Sequence, residues 1–429
     1  MSELSDPRWR SRVRRLTGAA VSRILLGSLI GQGAILIASP ALTRLYTPAD
    51  FGALAVVTAV SAVLGNLVTL SWERAIVVPA EHDRAKDVVA LGVLSVAILA
   101  AALTAAAYFA RHEMAALLNS RVFNDFWWLV PATVAAIGFY AVASSWLVRR
   151  QRYSALAMRN AVQGLSQAGS SVVLGLIGLT PLGLTSSPAV GRIAALIGMV
   201  RLRRRETSGA QRQLRETAAR YRRFPLVNTW SRMLNSLGLQ LPVILIISLF
   251  GSVEAGFYAL TLRVLASPVG IVADAVSQYF EGSFAKKFRD DEPGLDRMLS
   301  RLAVKLLLVG ALPVVIVLAV GPWLFSLVFG AEWAIAGFYA QLLVLSYYSQ
   351  FVVSPVSRAL VILERQGTQL LWDASRFVAT ASAVVVAWAL GADFAVCAIA
   401  LAAVQVVWYL ALFVLCRVAS RSAERRQIE

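Results

Sequence analysis

Seven cations stand inside long apolar stretches of this 429-residue chain: Arg159, Arg192, Arg232, Arg263, Lys305, Arg358 and Arg376. Only Asp274 and Asp373 oppose them there. On insertion scales each such charge costs roughly 2.5–3.5 kcal/mol in a bilayer, so it is paired, reaches for the interface or faces a wet cavity. Guanidinium groups suit phosphates, because their planar donors bind oxygens in pairs. A surplus of arginine over carboxylate therefore points to capture of an anion. Lys305, Arg358 and Arg376 lie within about two turns of the cytoplasmic face and can extend to headgroups, and Arg376 can pair with Asp373 one turn away. Arg159, Arg192 and Arg232 lie roughly 9–12 Å in from the cytoplasmic end, and Arg263 about 12 Å in from the outer end, at 1.5 Å per residue. These four are the candidate anion ligands.

The helices that carry them have polar faces. Offsets of 0, 4, 11 and 15 residues fall within about 60° of one another on a helix. Arg263, Ser267, Asp274 and Gln278 occupy those offsets, and Glu281 extends the same face. Ser28, Gln32, Ser39 and Thr43 repeat the pattern near the N-terminus. Arg159, Gln163, Ser166, Gln167 and Ser170 form a third face, and Asn228, Arg232 and Asn235 a fourth. Serine and threonine commonly join helices to one another in membranes. The larger amides Gln32, Gln163, Asn228, Asn235 and Gln278 are the candidate polar lining of a cavity. Asp274 has two readings: it pairs with Arg232, or with Glu281 it couples transport to protons or sodium.

Composition decides the class. The chain is 58% hydrophobic and 15% charged, with a mean hydropathy of +0.67. That is an all-α polytopic membrane protein, since about 20 apolar residues make one span. Twelve spans are expected, near 24–43, 52–71, 88–110, 127–148, 155–179, 182–200, 224–250, 255–284, 302–328, 334–362, 369–390 and 394–416. The sixth is the weakest, interrupted by Pro188 and Arg192. With both termini cytoplasmic, 31 of the 41 Lys and Arg fall in cytoplasmic segments and only Arg44, Arg111 and Arg121 outside. That asymmetry obeys the positive-inside rule. It also accounts for the net charge of +17 without invoking nucleic acid. The basic N-terminus, Arg8 to Arg15, precedes a run as long as a full span and reads as a retained first helix.

Residues 201–223 form a basic cytoplasmic linker that separates an N-lobe, 1–200, from a C-lobe, 224–429, with six helices in each. An ungapped internal match supports the division. Leu45-Tyr46, Asp50, Gly52 and Ala55 recur in spacing as Leu249-Phe250, Glu254, Gly256 and Ala259. Two halves of the same topology imply parallel repeats about an axis along the membrane normal. Cys397 and Cys416 lie roughly 28 Å apart along a helix and cannot pair. His82 and His112 read as lone loop histidines. No nucleotide loop, metal-ligand spacing or acidic glycosyltransferase motif occurs, and the outer loop near 111–126 is too short for a catalytic domain. No cofactor is expected.

Several segments carry a family likeness: LTRLYTPADFGALAV, SWERAIVVPAEHDRAKDVVALG, the run from Phe224 to Gly270, LFSLVFGAEWAIAGFYAQLL and SPVSRALVILERQ. They resemble the bacterial polysaccharide flippases, the Wzx-type O-antigen and exopolysaccharide translocases of the multidrug/oligosaccharidyl-lipid/polysaccharide superfamily. The likeness spans roughly 40–370 and departs most at 180–200. It implies two lobes around a central cavity with alternating access. The implied substrate is an undecaprenyl-pyrophosphate-linked oligosaccharide, moved across the bacterial inner membrane for lipopolysaccharide or exopolysaccharide biosynthesis. On this reading Arg159, Arg192, Arg232 and Arg263 hold the pyrophosphate, while the polar faces and Tyr347 or Tyr348 meet sugars. The implied partners are membrane lipids and the polymerase and chain-length regulator of the same pathway.

Three alternatives compete. A drug exporter of the same superfamily would carry acids in its N-terminal lobe, and the apolar cores of the first six spans contain none. A polymerase or ligase of the pathway would carry a large outer loop. A non-transporting scaffold is the third. If Asp274 couples transport to an ion, Asp274→Asn vesicles lose their dependence on an imposed ion gradient. Undiminished gradient dependence removes the residue from that role.

Overall fold

A computed structural model describes residues 7–117, 122–203 and 213–428. Among them the chain forms seventeen α-helices and no strand. In chain order the twelve long ones are α1 (Pro7–Leu45), α2 (Pro48–Val68), α4 (His82–Phe109), α7 (Leu129–Arg149), α8 (Tyr153–Leu176), α9 (Leu182–Arg203), α11 (Thr229–Phe250), α12 (Ser252–Arg289), α13 (Leu295–Phe329), α14 (Ala334–Val356), α16 (Gln366–Ala389) and α17 (Phe394–Ile428). Short helices intervene: α3 (Trp72–Ala75), α5 (Arg111–Leu117), α6 (Val122–Asp125), α10 (Leu214–Arg220) and α15 (Arg358–Ile362). Each of the twelve expected segments contains one long helix. Ten of these are apolar and long enough to cross a bilayer by composition alone. The two outside that set are α8 and α14, which carry the polar residues Arg159, Asn160 and Gln163, and Gln341, Ser346 and Ser349. The chain is a multi-pass membrane protein.

Two compact units divide the chain, Met1–Ile244 and Leu245–Glu429. In the first, glycines set how closely helices approach. A Cβ at Gly27 would lie 2.3 Å from the Ala157 carbonyl oxygen, and one at Gly31 2.4 Å from that of Asn160. A Cβ at Gly164 would come within 2.2 Å of the Gly31 carbonyl, and one at Gly191 within 2.5 Å of that of Gln163. Helix α8 is thus held backbone to backbone between α1 and α9, the arrangement that small residues permit where lipid offers no hydrophobic drive to associate. The weak sixth segment is a continuous helix through Pro188. Proline has no N–H to give the Leu184 carbonyl, and the Ser187 hydroxyl supplies one at 2.8 Å.

The ends of these helices are fixed by specific groups. Thr47 and Asp50 form a reciprocal capping box at the start of α2. Arg149, at the end of α7, donates to the carbonyls of Ile76 (3.2 Å), Pro79 (2.6 Å), Ala80 (3.4 Å) and Glu81 (3.3 Å). One guanidinium therefore clamps the turn between α3 and α4. Around it Trp72, Ala75, Ile76, Val88, Val89 and Val142 form an apolar cluster. Where the linker becomes describable, the Gln213 N–H donates to Asp87 at 3.2 Å and Glu216 pairs with Arg84 at 3.3 Å, so α10 lies on the start of α4. Residues 204–212 of the linker lie outside the described residues.

In the second unit Phe280, Phe284, Leu299, Val356, Leu360 and Cys416 form the core. Asp296 receives Arg417 at 2.8 Å and Arg421 at 3.0 Å, fixing the start of α13 to α17. Both cysteines are free and buried. The internal match has a local cause: Asp50 and Glu254 each occupy the third position of a helix, α2 and α12. Asp50 caps Thr47, whereas α12 starts after Gly251 and Glu254 instead accepts the Tyr339 hydroxyl at 2.5 Å.

Replacing Gly164 by Leu is expected to destabilise the first unit by more than about 3 kcal/mol, since backbone rather than a movable side chain blocks the new atoms. Gly169→Leu, where a Cβ meets nothing within 4 Å, is expected to be tolerated. Thermal unfolding of both variants in detergent, read against the parent, tests the contrast.

Candidate functional site

The first unit gathers its intramembrane cations at two places. At the first, α8 directs Arg159 towards α7. Its guanidinium carbon lies 4.4 Å from the centre of the Tyr140 ring, and it donates to Ser144 and to the Asn160 side-chain oxygen. The Tyr140 hydroxyl donates to Gln163 at 2.5 Å and reaches Asn160 at 3.3 Å, while the Asn160 amide donates to Ser28 of α1 at 2.8 Å. From α9, Arg192 comes within electrostatic reach of the same phenol, with one of its nitrogens donating to the Pro188 carbonyl at 2.8 Å. The structure thus brings Arg159, Arg192 and Gln163 together, whereas spacing along the chain placed only Arg159 and Gln163 on one helix face. Among the described residues no carboxylate forms an ion pair with either arginine. Two positive charges answered only by neutral oxygens and a π face make a site that attracts anions.

The second place is the base of α11. One of the two readings of Asp274 paired it with Arg232, and here the structure supplies a different partner: Arg232 pairs with Glu73 of α3. Glu73 is buried, 6% exposed, in a segment read from the sequence as cytoplasmic loop. The Arg232 side chain keeps 28% exposure. Two further contacts hold this corner, from the Thr229 hydroxyl to the Ser71 hydroxyl at 3.3 Å and from the Ser236 hydroxyl to the Ala62 carbonyl at 3.1 Å. Asn228 ends a π-helical turn, Phe224–Asn228, that leads into α11, and Asn235 is exposed. Gln32 of α1 is exposed as well. Ser39 and Thr43 spend their hydroxyls on the Ile35 and Pro40 carbonyls of their own helix, which places them in packing.

In the second unit Arg263 is half-buried on α12, while Asp274, Gln278 and Glu281, beyond Pro268, are exposed on one face of the same helix. Arg376 lies over the Trp372 ring at 5.2 Å, and Asp373 accepts from Gln369 at 3.3 Å instead of serving as its ion partner. The tyrosines proposed for sugar contact are engaged in packing: Tyr347 hydrogen-bonds Tyr258, and the Tyr348 hydroxyl donates to the Leu307 carbonyl at 2.5 Å.

Sequence reading missed Tyr140, Ser144 and Asn160 as members of the arginine cluster, and Glu73 as the partner of Arg232. Tyr140 is a lone phenol in an apolar run and Asn160 directly follows Arg159, so both gave a faint signal. Glu73 gave another, as a single acid between Trp72 and the apolar Ala75–Ile76. A separate cavity of about 370 Å³ among Val60, Leu64, Leu103, Trp127 and Leu237 is apolar except for Arg111, so it suits hydrocarbon and not a glycan.

The fold is similar to those of solved structures of transporters. A lipid II flippase, MurJ, in an inward closed conformation superposes with a TM-score of 0.71 over 96% of this chain and 90% of that one, at 11% identity. An inward-facing multidrug resistance transporter of the MATE family superposes with a TM-score of 0.68 over 95% of this chain and 99% of that one, at 13% identity. A family profile described as polysaccharide biosynthesis protein matches residues 41–337, more than half of the chain, and the chain belongs to that family. It is also similar to the succinoglycan biosynthesis transport protein ExoT of Rhizobium meliloti (strain 1021), with 26% identity over 358 residues, 80% of this chain and 69% of that protein.

Tyr140→Phe removes one hydroxyl and leaves the ring under Arg159, a loss expected to cost about 1 kcal/mol. Asn160→Leu strips acceptors from a partly buried guanidinium and is expected to cost about 3 kcal/mol. Denaturation midpoints of the two purified variants should fall in that order.

Proposed function

We propose that this protein flips an undecaprenyl-pyrophosphate-linked oligosaccharide from the cytoplasmic to the outer leaflet of the bacterial inner membrane, for O-antigen or exopolysaccharide synthesis. The observation that carries the reading is the Arg159–Arg192 cluster, two cations within long helices that no carboxylate among the described residues pairs with. A diphosphate offers the paired oxygens that such groups bind best. The family supports a polysaccharide cargo, and the relative named as a succinoglycan transport protein supports export over synthesis. The protein acts as a transporter and not as a glycosyl-transferring enzyme.

In this account Arg159, Arg192, Arg232 and Arg263 hold the pyrophosphate at successive stages. Gln32, Asn235 and Gln278, all exposed, with Gln163 and Asn228, meet the glycan. The isoprenoid tail stays in the bilayer, where leaving hydrocarbon would be costly. Two six-helix lobes, 1–200 and 224–429, joined by 201–223, alternate access, with both termini cytoplasmic. Asp274 and Glu281 stand on an exposed face and are the groups through which a proton or sodium gradient would act. The pathway's polymerase receives the flipped product.

Reconstituted transport of a labelled lipid-linked glycan tests the proposal. Arg232→Ala and Arg263→Ala are expected to abolish glycan export. Arg232→Ala also strands the buried Glu73, so the double variant Glu73→Gln/Arg232→Gln separates loss of the ligand from loss of the fold. Transport by that double variant and by Arg263→Gln should fall at least about tenfold, the equivalent of one charge-assisted hydrogen bond. Full transport by both would overturn the cationic-site reading.

A further inference from the structure

Glu73 is assigned no part in transport by the reading above, yet its setting is unusual for a solvated loop carboxylate. It is 6% exposed, one oxygen receives Arg232, and its other oxygen is buried without a hydrogen bond among the described residues. A buried carboxylate oxygen with no donor has lost its water without replacement, so the pair is made but not fully satisfied. Arg232 is the accessible partner, 28% exposed against 7% for the Glu73 side chain. An anion arriving from the open side meets the guanidinium first.

The backbone on both sides of the pair is under local strain. Leu70 and Ser71, which precede α3, hold φ values of 46° and 55°, a left-handed conformation that disfavours residues bearing a Cβ. Opposite them Phe224–Asn228 is a π turn, and Thr229 at its end bonds Ser71. π turns and positive φ values at non-glycine residues persist where surrounding contacts hold them. Here those contacts are the Glu73–Arg232 pair, Thr229–Ser71 and Ser236–Ala62. They join α11 to the α2–α3 corner, and α11 is the helix along which the chain passes from the first unit into the second.

We propose that Glu73 is a built-in competitor for Arg232, a carboxylate that occupies the guanidinium until a diphosphate displaces it and so frees the base of α11 from the α2–α3 corner. The inference rests on the reading of Arg232 as a phosphate ligand. A diphosphate brings more charge and more acceptor oxygens than one carboxylate, and Glu73 already lacks a donor on one side. Exchange therefore favours the incoming anion, and binding energy is converted into release of a helix. Glu73 is a positioning residue: it acts through Arg232 and does not touch the cargo.

Two measurements on the full-length protein in detergent test this. Undecaprenyl pyrophosphate binding to Glu73→Gln is expected to tighten roughly tenfold, the worth of the removed charge-assisted competitor. Transport by the same variant should slow, because binding no longer does the unlatching. Hydrogen exchange without ligand should quicken about tenfold at residues 72–76 and 229–236 in Glu73→Gln, as expected when a local opening becomes easier. Glu73→Asp, which retracts the carboxylate by one methylene, should show the same directions more weakly and serves if the amide variant does not fold. Weaker binding by Glu73→Gln would overturn the proposal and make Glu73 a mere support for Arg232. Unchanged exchange at both segments would also overturn it. If parent and variants alike ignore undecaprenyl pyrophosphate, the functional reading fails on its own, and the exchange data alone decide the latch.

Discussion

A guanidinium inside an apolar bundle must be answered, and the answers found for Arg159 and Arg232 organise the first unit. Arg159 is met by a ring face, a hydroxyl and an amide drawn from α7 and α8, and the amide is itself tied to α1. Neutral partners satisfy its donors while leaving its charge in place. Arg232 is met by a carboxylate, which cancels the charge. The same residue type is therefore used in two electrostatic states, one retaining its positive field and one holding it in reserve.

That network requires helices to approach more closely than side chains normally allow. The Asn160–Ser28 bond spans α8 and α1, whose contact is set by Gly27, Gly31 and Gly164. Bulk at any of the three would move α8 away and break the bond. Pro188 raises the same problem on α9, where Ser187 supplies the donor that the proline lacks and Arg192 adds a second bond to the next turn. Polar groups in this unit thus serve the backbone and the arginine cluster together, which is why its fifth long helix falls short of the hydropathy of a span and its sixth carries Pro188 and Arg192.

Much of the architecture was legible from residues alone because hydrophobicity has to be continuous over a span. Every expected segment holds a long helix, including 182–200 despite its proline and arginine. The polar face Arg159–Gln163 was legible too, since both residues lie one turn apart on one helix. The pairings were less so. Asp274, the nearest intramembrane acid in the sequence, offered Arg232 one partner, and the actual partner lies 159 positions away in a four-residue helix. Tyr347 and Tyr348, named for sugar contact on the strength of the family resemblance, are engaged by Tyr258 and by the Leu307 carbonyl.

Composition, periodicity and the distribution of arginine determined by themselves that this chain is a bundle of membrane helices with cationic, polar faces. Those properties are local: they depend on what can enter hydrocarbon and on the 3.6-residue turn. Only the tertiary structure decided which cations keep their charge. That depends on which helix ends meet, and contact between Glu73 and Arg232 arises from the turn after α2 and the π turn before α11. The spacing of charges along one chain carries no information about such a meeting, because it is fixed by packing between segments far apart in sequence.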